Sequence, residues 1–251
     1  MFAPSHRRPD PTEGARGFHE GFLSVVTRIY SRIKLKHQLT VLYTILDNHF
    51  GPLNWWPGET PFEIAVGAIL TQNTNWRNVE RAIQGLKSAG LLQPGPLLET
   101  DDHLVAGIIR PSGYYRIKTR RLKAFVSFLS REYGGEMDRM FEDELWDLRA
   151  KLLAVKGIGE ETADSILLYA GNMPVFVVDA YTRRILSRHG IVDGESRYGE
   201  IQKMFMEALP DDPSLFNQYH ALLVNTCKQF CKKRPLCDEC PLDRWTAHET
   251  V

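Results

Sequence analysis

The chain has 251 residues, 43% of them hydrophobic and 25% charged, and its net charge is zero because 31 basic residues balance 31 acidic ones. This composition is typical of a globular protein long enough to bury one large core or two small ones. No apolar stretch approaches the ~20 residues of a membrane-spanning helix, and the N-terminus has no apolar signal-peptide segment. We therefore expect an intracellular protein that contacts no membrane.

Helix signals follow one another along most of the chain. Residues 1–19 are rich in Pro, Gly and Arg and predict a mobile tail. In the second predicted helix, Thr60 is a suitable N-cap and Pro61 suits the first helical position. Apolar spacing and turn signals predict helices at 35–50, 61–70, 78–89, 97–109, 117–133, 141–153, 161–170, 180–189, 198–209 and 215–226.

Strand signals are almost absent. The best candidate is 175–178 (VFVV), which is too short to found a sheet. The predicted fold class is therefore all-α.

The charges are segregated although they balance. Basic residues concentrate in three runs, at 110–123, 183–188 and 228–234. The runs fit two interpretations equally well: a basic face that meets nucleic acid, or three solvated helix surfaces.

Segment 155–163 (VKGIGEETA) has the form of a hairpin between two helices. Gly157 and Gly159 would allow a tight turn with backbone angles that a side chain resists. Backbone N–H groups of the turn and of the next helix, near Lys156 and Thr162, would then face an anion such as a DNA phosphate, with no base being read. The alternative is an ordinary helical hairpin without a ligand.

All four cysteines lie within fourteen residues, and three, five and two residues separate them in turn. Such a cluster in an intracellular protein favours a metal site over disulfides or free thiols. Four thiolates suit zinc or a cubane iron–sulfur cluster. The predicted ligands are Cys227, Cys231, Cys237 and Cys240.

Several motifs together carry a family resemblance. Segments 69–74 (ILTQNT) and 113–118 (GYYRIK), the hairpin, Val178-Asp179 and the cysteines occur in the order seen in endonuclease III. Over roughly residues 35–242, the chain resembles the helix-hairpin-helix superfamily of DNA glycosylases. The resemblance implies base-excision repair: the partner is double-stranded DNA with a damaged base, which is flipped out before its N-glycosidic bond is broken.

The resemblance also implies an architecture of two helical domains with the DNA between them. One would be a six-helix barrel at 55–173, with the helix-hairpin-helix at about 142–171. The other would be built from both chain ends, 20–54 and 174–251, and would carry the cluster. The family implies a monomer, and in a bacterium or archaeon a cytoplasmic, nucleoid-associated location.

Asp179 matches the family's essential aspartate. A fixed carboxylate would stabilise the oxocarbenium character that builds on the sugar and would orient or activate water. Asp179 would also suit the N-cap of the helix that begins at Ala180, and both roles can hold at once.

Glu161 stands where endonuclease III has the lysine that forms a Schiff base with the sugar. A carboxylate cannot form that bond, so the resemblance implies a monofunctional glycosylase unless Lys156 or another lysine substitutes. Glu161 could attract a cationic base such as an alkylated purine, or simply favour the helix dipole. A bifunctional glycosylase/lyase for oxidised pyrimidines and a non-catalytic DNA-binding protein remain alternatives.

Three further residues are expected near the flipped base. Gln72 matches a glutamine that fills the hole in the duplex; its alternative is a polar helix-end network. Tyr181 and Trp76 could stack on a base, although a core role is as plausible for either. Trp55 and Trp56 are expected to pack in the core.

The cysteine spacing departs from the family pattern. Cys231, Cys237 and Cys240 approximate its first three ligands with one residue deleted, and the fourth position falls on Thr246, which cannot ligate. Cys227, one helical turn before Cys231, replaces it. The expected cofactor is a structural [4Fe-4S] cluster, with zinc as the fallback.

Overall fold

The computed structural model describes residues 11–245, with the side chains of residue 30 and of 32–245. The helices are α1 Pro11–Phe50, α2 Pro61–Leu70, α3 Trp76–Ser88, α4 Pro94–Glu99, α5 Asp102–Ile108, α6 Tyr115–Tyr133, α7 Met137–Met140, α8 Leu145–Ala154, α9 Glu160–Ser165, α10 Ala180–Arg188, α11 Tyr198–Ala208 and α12 Pro213–Gln229. Short 3-10 turns occur at Arg110–Ser112 and Cys237–Glu239, and a π-helical segment, Ile166–Ala170, continues α9. No strand occurs within 11–245, which confirms the all-α prediction.

Helix α1 starts earlier than the sequence pattern suggested. Residues 11–19, predicted as part of a mobile tail, form its first turns, while residues 1–10 of that tail lie outside the described residues. Pro11 suits a helix start, and no proline follows until Pro52, so nothing in between forces a break.

Local signals explain several helix boundaries. The Thr60 hydroxyl accepts a hydrogen bond from the Glu63 N–H at 3.1 Å and Pro61 opens α2, as predicted. The predicted helix at 97–109 is instead two helices, because the Asp101 side chain caps a new start by accepting from the N–H groups of His103 and Leu104.

The first and the last described α-helices pack together. α1 contacts α11 and α12, and α10 also packs on α12. In the middle of the chain, α6 packs against α4 and α5, while α2 contacts α3, α6 and α9. The two groups of helices meet where α12 contacts the π-helical segment, beside the open cleft described below.

The predicted strand at 175–178 is extended but pairs with no other strand within 11–245. Its side chains are buried, and the Phe176 ring stacks on Phe205 with centroids 3.8 Å apart. Phe216 and Tyr219 of α12 contact the same ring edge-on. The segment is therefore anchored in the core immediately before Asp179.

None of the described helices combines the length and the apolar character needed to cross a membrane.

Candidate active site and nucleic-acid interface

An open cleft of about 1350 Å³ lies where α2, α9, α10 and α12 come together. Its wall includes every residue that the sequence singled out for catalysis or for contact with the flipped base, and several that it did not. The residues that matter below are Trp55, Trp56, Gln72, Trp76, Glu161, Thr162, Asp179, Tyr181, His220 and Lys228.

Asp179 occupies the floor of this cleft, and its side chain is 13% exposed. It is the N-cap of α10, and its Oδ1 accepts a hydrogen bond from the Thr182 N–H at 2.7 Å. Its Oδ2 lies 3.6 Å from Nε2 of His220. Burial acts to raise the pKa of Asp179, but His220 and the Thr182 N–H outweigh it and hold the pKa below its usual value. The carboxylate is therefore ionised near neutral pH.

A buried network fixes the segment that carries Asp179. The fully buried Asp164 of α9 accepts two hydrogen bonds from Arg149 of α8, at 2.7 and 3.0 Å. It also accepts from the Tyr198 hydroxyl and from Gln202 Nε2 of α11, each at 2.7 Å.

The network reaches the Asp179 segment through two backbone contacts. Gln202 Nε2 also donates to the carbonyl of Phe176 at 2.8 Å, and the Val178 N–H donates to the Tyr198 hydroxyl at 3.4 Å. The hairpin helices are thereby joined to the residues immediately before Asp179.

Glu161 stands at the rim of the cleft, near the start of α9, and is exposed. The surrounding protein raises the pKa of its carboxyl, as does the negative charge of Asp179, while His220 opposes both. Two carboxyl groups thus line one cleft: that of Asp179 is mostly buried on the floor, and that of Glu161 is exposed at the rim.

Gln72 is fully engaged within the protein. Its Nε2 donates to the Gly157 carbonyl at 3.1 Å and to the Thr162 hydroxyl at 2.9 Å. Its Oε1 accepts from Arg121 of α6. The polar-network alternative therefore describes this conformation, and insertion into a duplex would require these bonds to break.

The hairpin joins α8 to α9, as expected, but its two glycines differ from each other in backbone conformation. Gly157 has a φ of +95°, and a Cβ there would lie 2.4 Å from Cγ of Arg121. Gly159 has a φ of −100° and open space around its Cβ position, so the expectation that its backbone excludes a side chain is wrong. Lys156 is exposed, whereas Thr162 is buried by the contact with Gln72.

Aromatic rings line one side of the cleft. The Trp56 ring stacks on Tyr169 with centroids 4.9 Å apart and meets Trp76 edge-on at the same separation. Trp55 and Trp56 are half-buried; both pack against the hydrophobic core, as expected, and both also line the cleft. Tyr181 also lines the cleft, with the Arg184 guanidinium 5.5 Å from its ring.

Sequence reasoning missed the place of His220 and Lys228 in this cleft wall, and the contact that Tyr169 makes with His220. His220 is buried in α12, with Nδ1 2.6 Å from the Tyr169 hydroxyl. Lys228, two turns further along α12, places Nζ 5.0 Å from the Trp55 ring. A single histidine in a helix has no spacing signal of its own. Lys228 begins the third basic run, but only the packing of α12 shows that it lies in the cleft. Tyr169 lay in a predicted helix with no mark of function.

Two of the three basic runs supply a side chain that hydrogen-bonds within the protein. Lys118 is 1% exposed, and its Nζ donates to the carbonyls of Leu70 at 2.8 Å and Ser112 at 2.6 Å. Arg188 donates to Cys231 Sγ at 3.1 Å and to the Lys232 carbonyl at 2.8 Å. The solvated-surface interpretation is thus wrong for Lys118, whereas Arg188 stays exposed while it makes these bonds.

The cysteines gather at the end of α12. Cys231, Cys237 and Cys240 line one cavity of about 490 Å³, together with Arg188. Cys227 is buried one turn earlier, with Sγ 3.6 Å from the carbonyl of Tyr181. Within the part of the chain that the structure describes, no three His, Cys, Asp or Glu side chains meet closely enough to hold a metal ion. The predicted cluster therefore stays a prediction.

Known proteins with similar sequences and folds are DNA repair enzymes. A Methanocaldococcus jannaschii protein provisionally named a DNA repair glycosylase is 49% identical over 80% of this chain and 92% of its own length. Endonuclease III of Sulfolobus acidocaldarius is 27% identical over 71% of this chain and 78% of its own.

Two solved structures share the fold. The H. pylori 3-methyladenine DNA glycosylase bound to 1,N6-ethenoadenine has a TM-score of 0.66 and 27% identity, over 76% of this chain and 97% of the other. A non-covalent endonuclease III–DNA complex has a TM-score of 0.72 at 22% identity, over 82% and 92% of the two chains.

A family model supplies the assignment. The model of the HhH-GPD superfamily base excision DNA repair proteins matches residues 66–211, which include the hairpin and Asp179. The expected helix-hairpin-helix resemblance is thereby confirmed. The chain belongs to the HhH-GPD superfamily and is a DNA repair glycosylase of that superfamily.

Proposed function

We propose that this protein is a monofunctional DNA glycosylase that hydrolyses the N-glycosidic bond of a flipped-out base. The observation that carries the proposal is the position of the Asp179 carboxylate in the wall of an open cleft, with one oxygen held by the Thr182 N–H. A negative charge fixed there would stabilise an oxocarbenium-like sugar and orient water toward it.

The absence of strand cutting follows from Glu161. It lies at the rim of the cleft that holds Asp179, and a carboxylate has no amine with which to form a Schiff base. The base would therefore leave by hydrolysis, and the abasic strand would stay intact.

The lining of the cleft favours a planar, electron-poor base. Trp55, Trp56 and Trp76 offer ring faces and edges, and cations are attracted to aromatic faces as well as to carboxylates such as Glu161 and Asp179. We infer that alkylated purines, which carry positive charge, are the substrate class. The fold shared with a 3-methyladenine glycosylase agrees with this choice.

The hairpin would hold the DNA backbone. Lys156 is exposed beside the turn, and the open space at Gly159 would let a phosphate approach the backbone N–H groups closely. Because the Thr162 hydroxyl is bonded to Gln72, only its backbone N–H would serve the phosphate in this conformation.

One observation favours the bifunctional alternative. Lys228 lines the same cleft as Asp179, so a lysine is present although it does not stand at the Glu161 position. If Lys228 reached the sugar, it could form the Schiff base that Glu161 cannot. The test below separates the two candidates.

We also propose that the four cysteines bind a structural [4Fe-4S] cluster, or zinc. The donor chemistry fits: three thiol groups share one cavity, and Arg184 and Arg188 bring positive charge to Cys231. Metal analysis of purified protein should give about four irons per chain, or one zinc. A chain that is metal-free when prepared anaerobically, yet folded, would contradict this proposal.

The main test is base release from a panel of duplexes, each with one lesion: 3-methyladenine or a stable analogue, hypoxanthine, uracil, thymine opposite guanine, thymine glycol, 8-oxoguanine or an abasic site. Each reaction is split and run with and without hot alkali. We expect cuts only after alkali, on an alkylated purine.

Borohydride trapping provides the control. A covalent protein–DNA product that disappears in Lys228→Met but persists in Lys156→Met would establish the bifunctional alternative through Lys228. Cuts without alkali would contradict the monofunctional proposal directly.

A further inference from the structure

The buried imidazole of His220 stands between the catalytic candidate and a buried phenol. His220 is 4% exposed. Its Nδ1 lies 2.6 Å from the Tyr169 hydroxyl and its Nε2 lies 3.6 Å from Oδ2 of Asp179. In the described part of the chain, Nε2 has no hydrogen-bond partner. A buried polar atom is thus aimed at the carboxylate and is not used by any other contact.

The contact with Tyr169 decides what Nε2 can do. Burial raises the pKa of Tyr169 well above its ordinary value, so the phenol keeps its proton and can donate it to Nδ1. A neutral imidazole that accepts at Nδ1 carries its hydrogen on Nε2, and an imidazolium carries a hydrogen on both nitrogens. In both cases, Nε2 presents an N–H to Asp179. The remaining tautomer would point a lone pair at a carboxylate and is unfavourable.

We propose that His220, oriented by Tyr169, is a positioning residue that donates through Nε2 to Oδ2 of Asp179 and fixes the carboxylate toward the sugar. Thr182 already holds Oδ1 from the start of α10, so His220 would hold the second oxygen from α12. The 3.6 Å gap is longer than a hydrogen bond, and a small rotation of the Asp179 side chain closes it. The inference rests on the proposed catalytic role of Asp179.

The charges around Asp179 show why such a partner matters. Glu161 of α9 and the thiol of Cys227 on α12 share its surroundings, and burial also disfavours its charge. Lys228 on α12 is a cation near it, and Arg183 and Arg184 of α10 line a second pocket together with Asp179. His220 is the largest favourable influence on the charged form of Asp179, so its removal should make the carboxylate harder to ionise.

The first test measures Asp179 in the free protein, without any substrate. Carboxyl ¹³C NMR titrations would follow Asp179, assigned by the signal that Asp179→Asn removes. We expect His220→Met, which has no donor, to raise the pKa of Asp179 by about one unit or more. His220→Gln, whose amide reaches the Nε2 position, should restore part of the shift. Tyr169→Phe keeps the ring and removes only the hydroxyl, so it should give a smaller rise.

The second test follows single-turnover base release against pH on the duplex identified by the panel. The acid limb of the rate should move to higher pH in His220→Met by the shift seen in the titration, and less in His220→Gln. Repeating the profiles in a Glu161→Gln background removes the titration of the neighbouring carboxyl. Thermal unfolding and duplex affinity report whether each variant still folds and binds.

The outcomes separate this inference from the proposed function. An unchanged Asp179 titration in His220→Met and Tyr169→Phe would overturn the inference, as would a rate loss equal at every pH. If His220→Met does not fold, His220→Gln and Tyr169→Phe decide between these outcomes. If wild-type protein releases no base, or Asp179→Asn releases it as fast as wild type, the proposed function fails, and the catalytic meaning of the contact fails with it.

Discussion

At the scale of one residue, Asp179 combines a structural role, the cap of α10, with the chemical role proposed for it. It caps α10 through Oδ1, which fixes its side chain, and it turns its other oxygen toward His220 in the cleft. Capping is common for aspartate, so the cap alone implies no chemistry. Its burial and its second neighbour, His220, distinguish it from an ordinary cap: His220 and the Thr182 N–H hold its pKa below the usual value although burial acts to raise it, which suits a group that must stay charged in the cleft.

Lys118 illustrates a cation used for structure. It links the end of α2, which leads to Gln72, with the turn that leads to Tyr114, a residue 69% exposed at a φ of 45°. Burial, and to a smaller degree Arg121, lowers the pKa of Lys118 to about 8 from an ordinary 10.5.

This shift predicts a pH dependence of stability. Below about pH 8, Lys118 is charged in both the folded and the unfolded chain; between about 8 and 10.5, only the unfolded chain keeps the proton. Folding stability from this group therefore rises with pH over that window, by up to about 3 kcal/mol. In denaturant unfolding, the free energy of unfolding of wild type should rise from pH 8 to 10.5 relative to that of Lys118→Met, which lacks the titrating group. A difference that stays constant with pH would contradict the assignment.

Single residues also mark what the sequence could and could not predict. Thr60, Pro61 and the hairpin turn were predictable because caps, first-turn prolines and Gly-x-Gly act locally. Residues His220 and Lys228 were not, because their proximity to Asp179 depends on how α12 packs, over a separation of some forty residues in the chain. The role of Glu161 came only from the family resemblance.

At the scale of elements, the hairpin and the segment that carries Gln72 form one unit. Gln72 bonds to the Gly157 carbonyl and to Thr162, and Arg121 both donates to Gln72 and packs over Gly157. The turn proposed to bind phosphate and the candidate wedge residue Gln72 are therefore connected in the protein without DNA. If either the turn or Gln72 moves, these hydrogen bonds should shift the other as well.

The two hairpin glycines predict a pair of contrasting variants. Gly157→Ala combines a positive φ with a close contact to Arg121, so it should cost roughly 1–2 kcal/mol of folding stability. Gly159→Ala meets no neighbour and no backbone strain, so its stability should stay near wild type, while its methyl group would obstruct a phosphate. Chemical denaturation and fluorescence anisotropy with a short duplex measure the two effects. Equal stability losses in both variants would contradict the difference in backbone geometry.

At the scale of the whole molecule, the site depends on chain ends that meet. α1 and α12 pack together, α12 brings His220 and Lys228 to the cleft, and its end carries the cysteines. The all-α class was predictable from periodicity, because the sequence has ten segments with helical apolar spacing and a single short strand-like run, and one short strand cannot form a sheet. The extent of α1 was not, because Pro- and Gly-rich composition at residues 11–19 masked a helix start at Pro11.

On the same scale, hydrogen bonds between helices set the distance between the hairpin and Asp179. The network around Asp164 joins α8 and α9 to α11 and to the segment before Asp179, so the hairpin and the catalytic candidate are held at a fixed separation. A duplex bound at the hairpin would therefore present its sugar at a defined distance from Asp179. The proposed activity requires that arrangement, and a non-catalytic DNA-binding protein does not.

The measurement that tests the central claim most directly compares wild type with Asp179→Asn on the lesion duplexes, with and without alkali. We predict that wild type releases an alkylated purine and leaves an alkali-labile, uncut strand. Asp179→Asn should bind the same duplex with similar affinity and release the base at least ~100-fold more slowly. Equal rates in the two proteins, or strand cuts that need no alkali, would contradict the account.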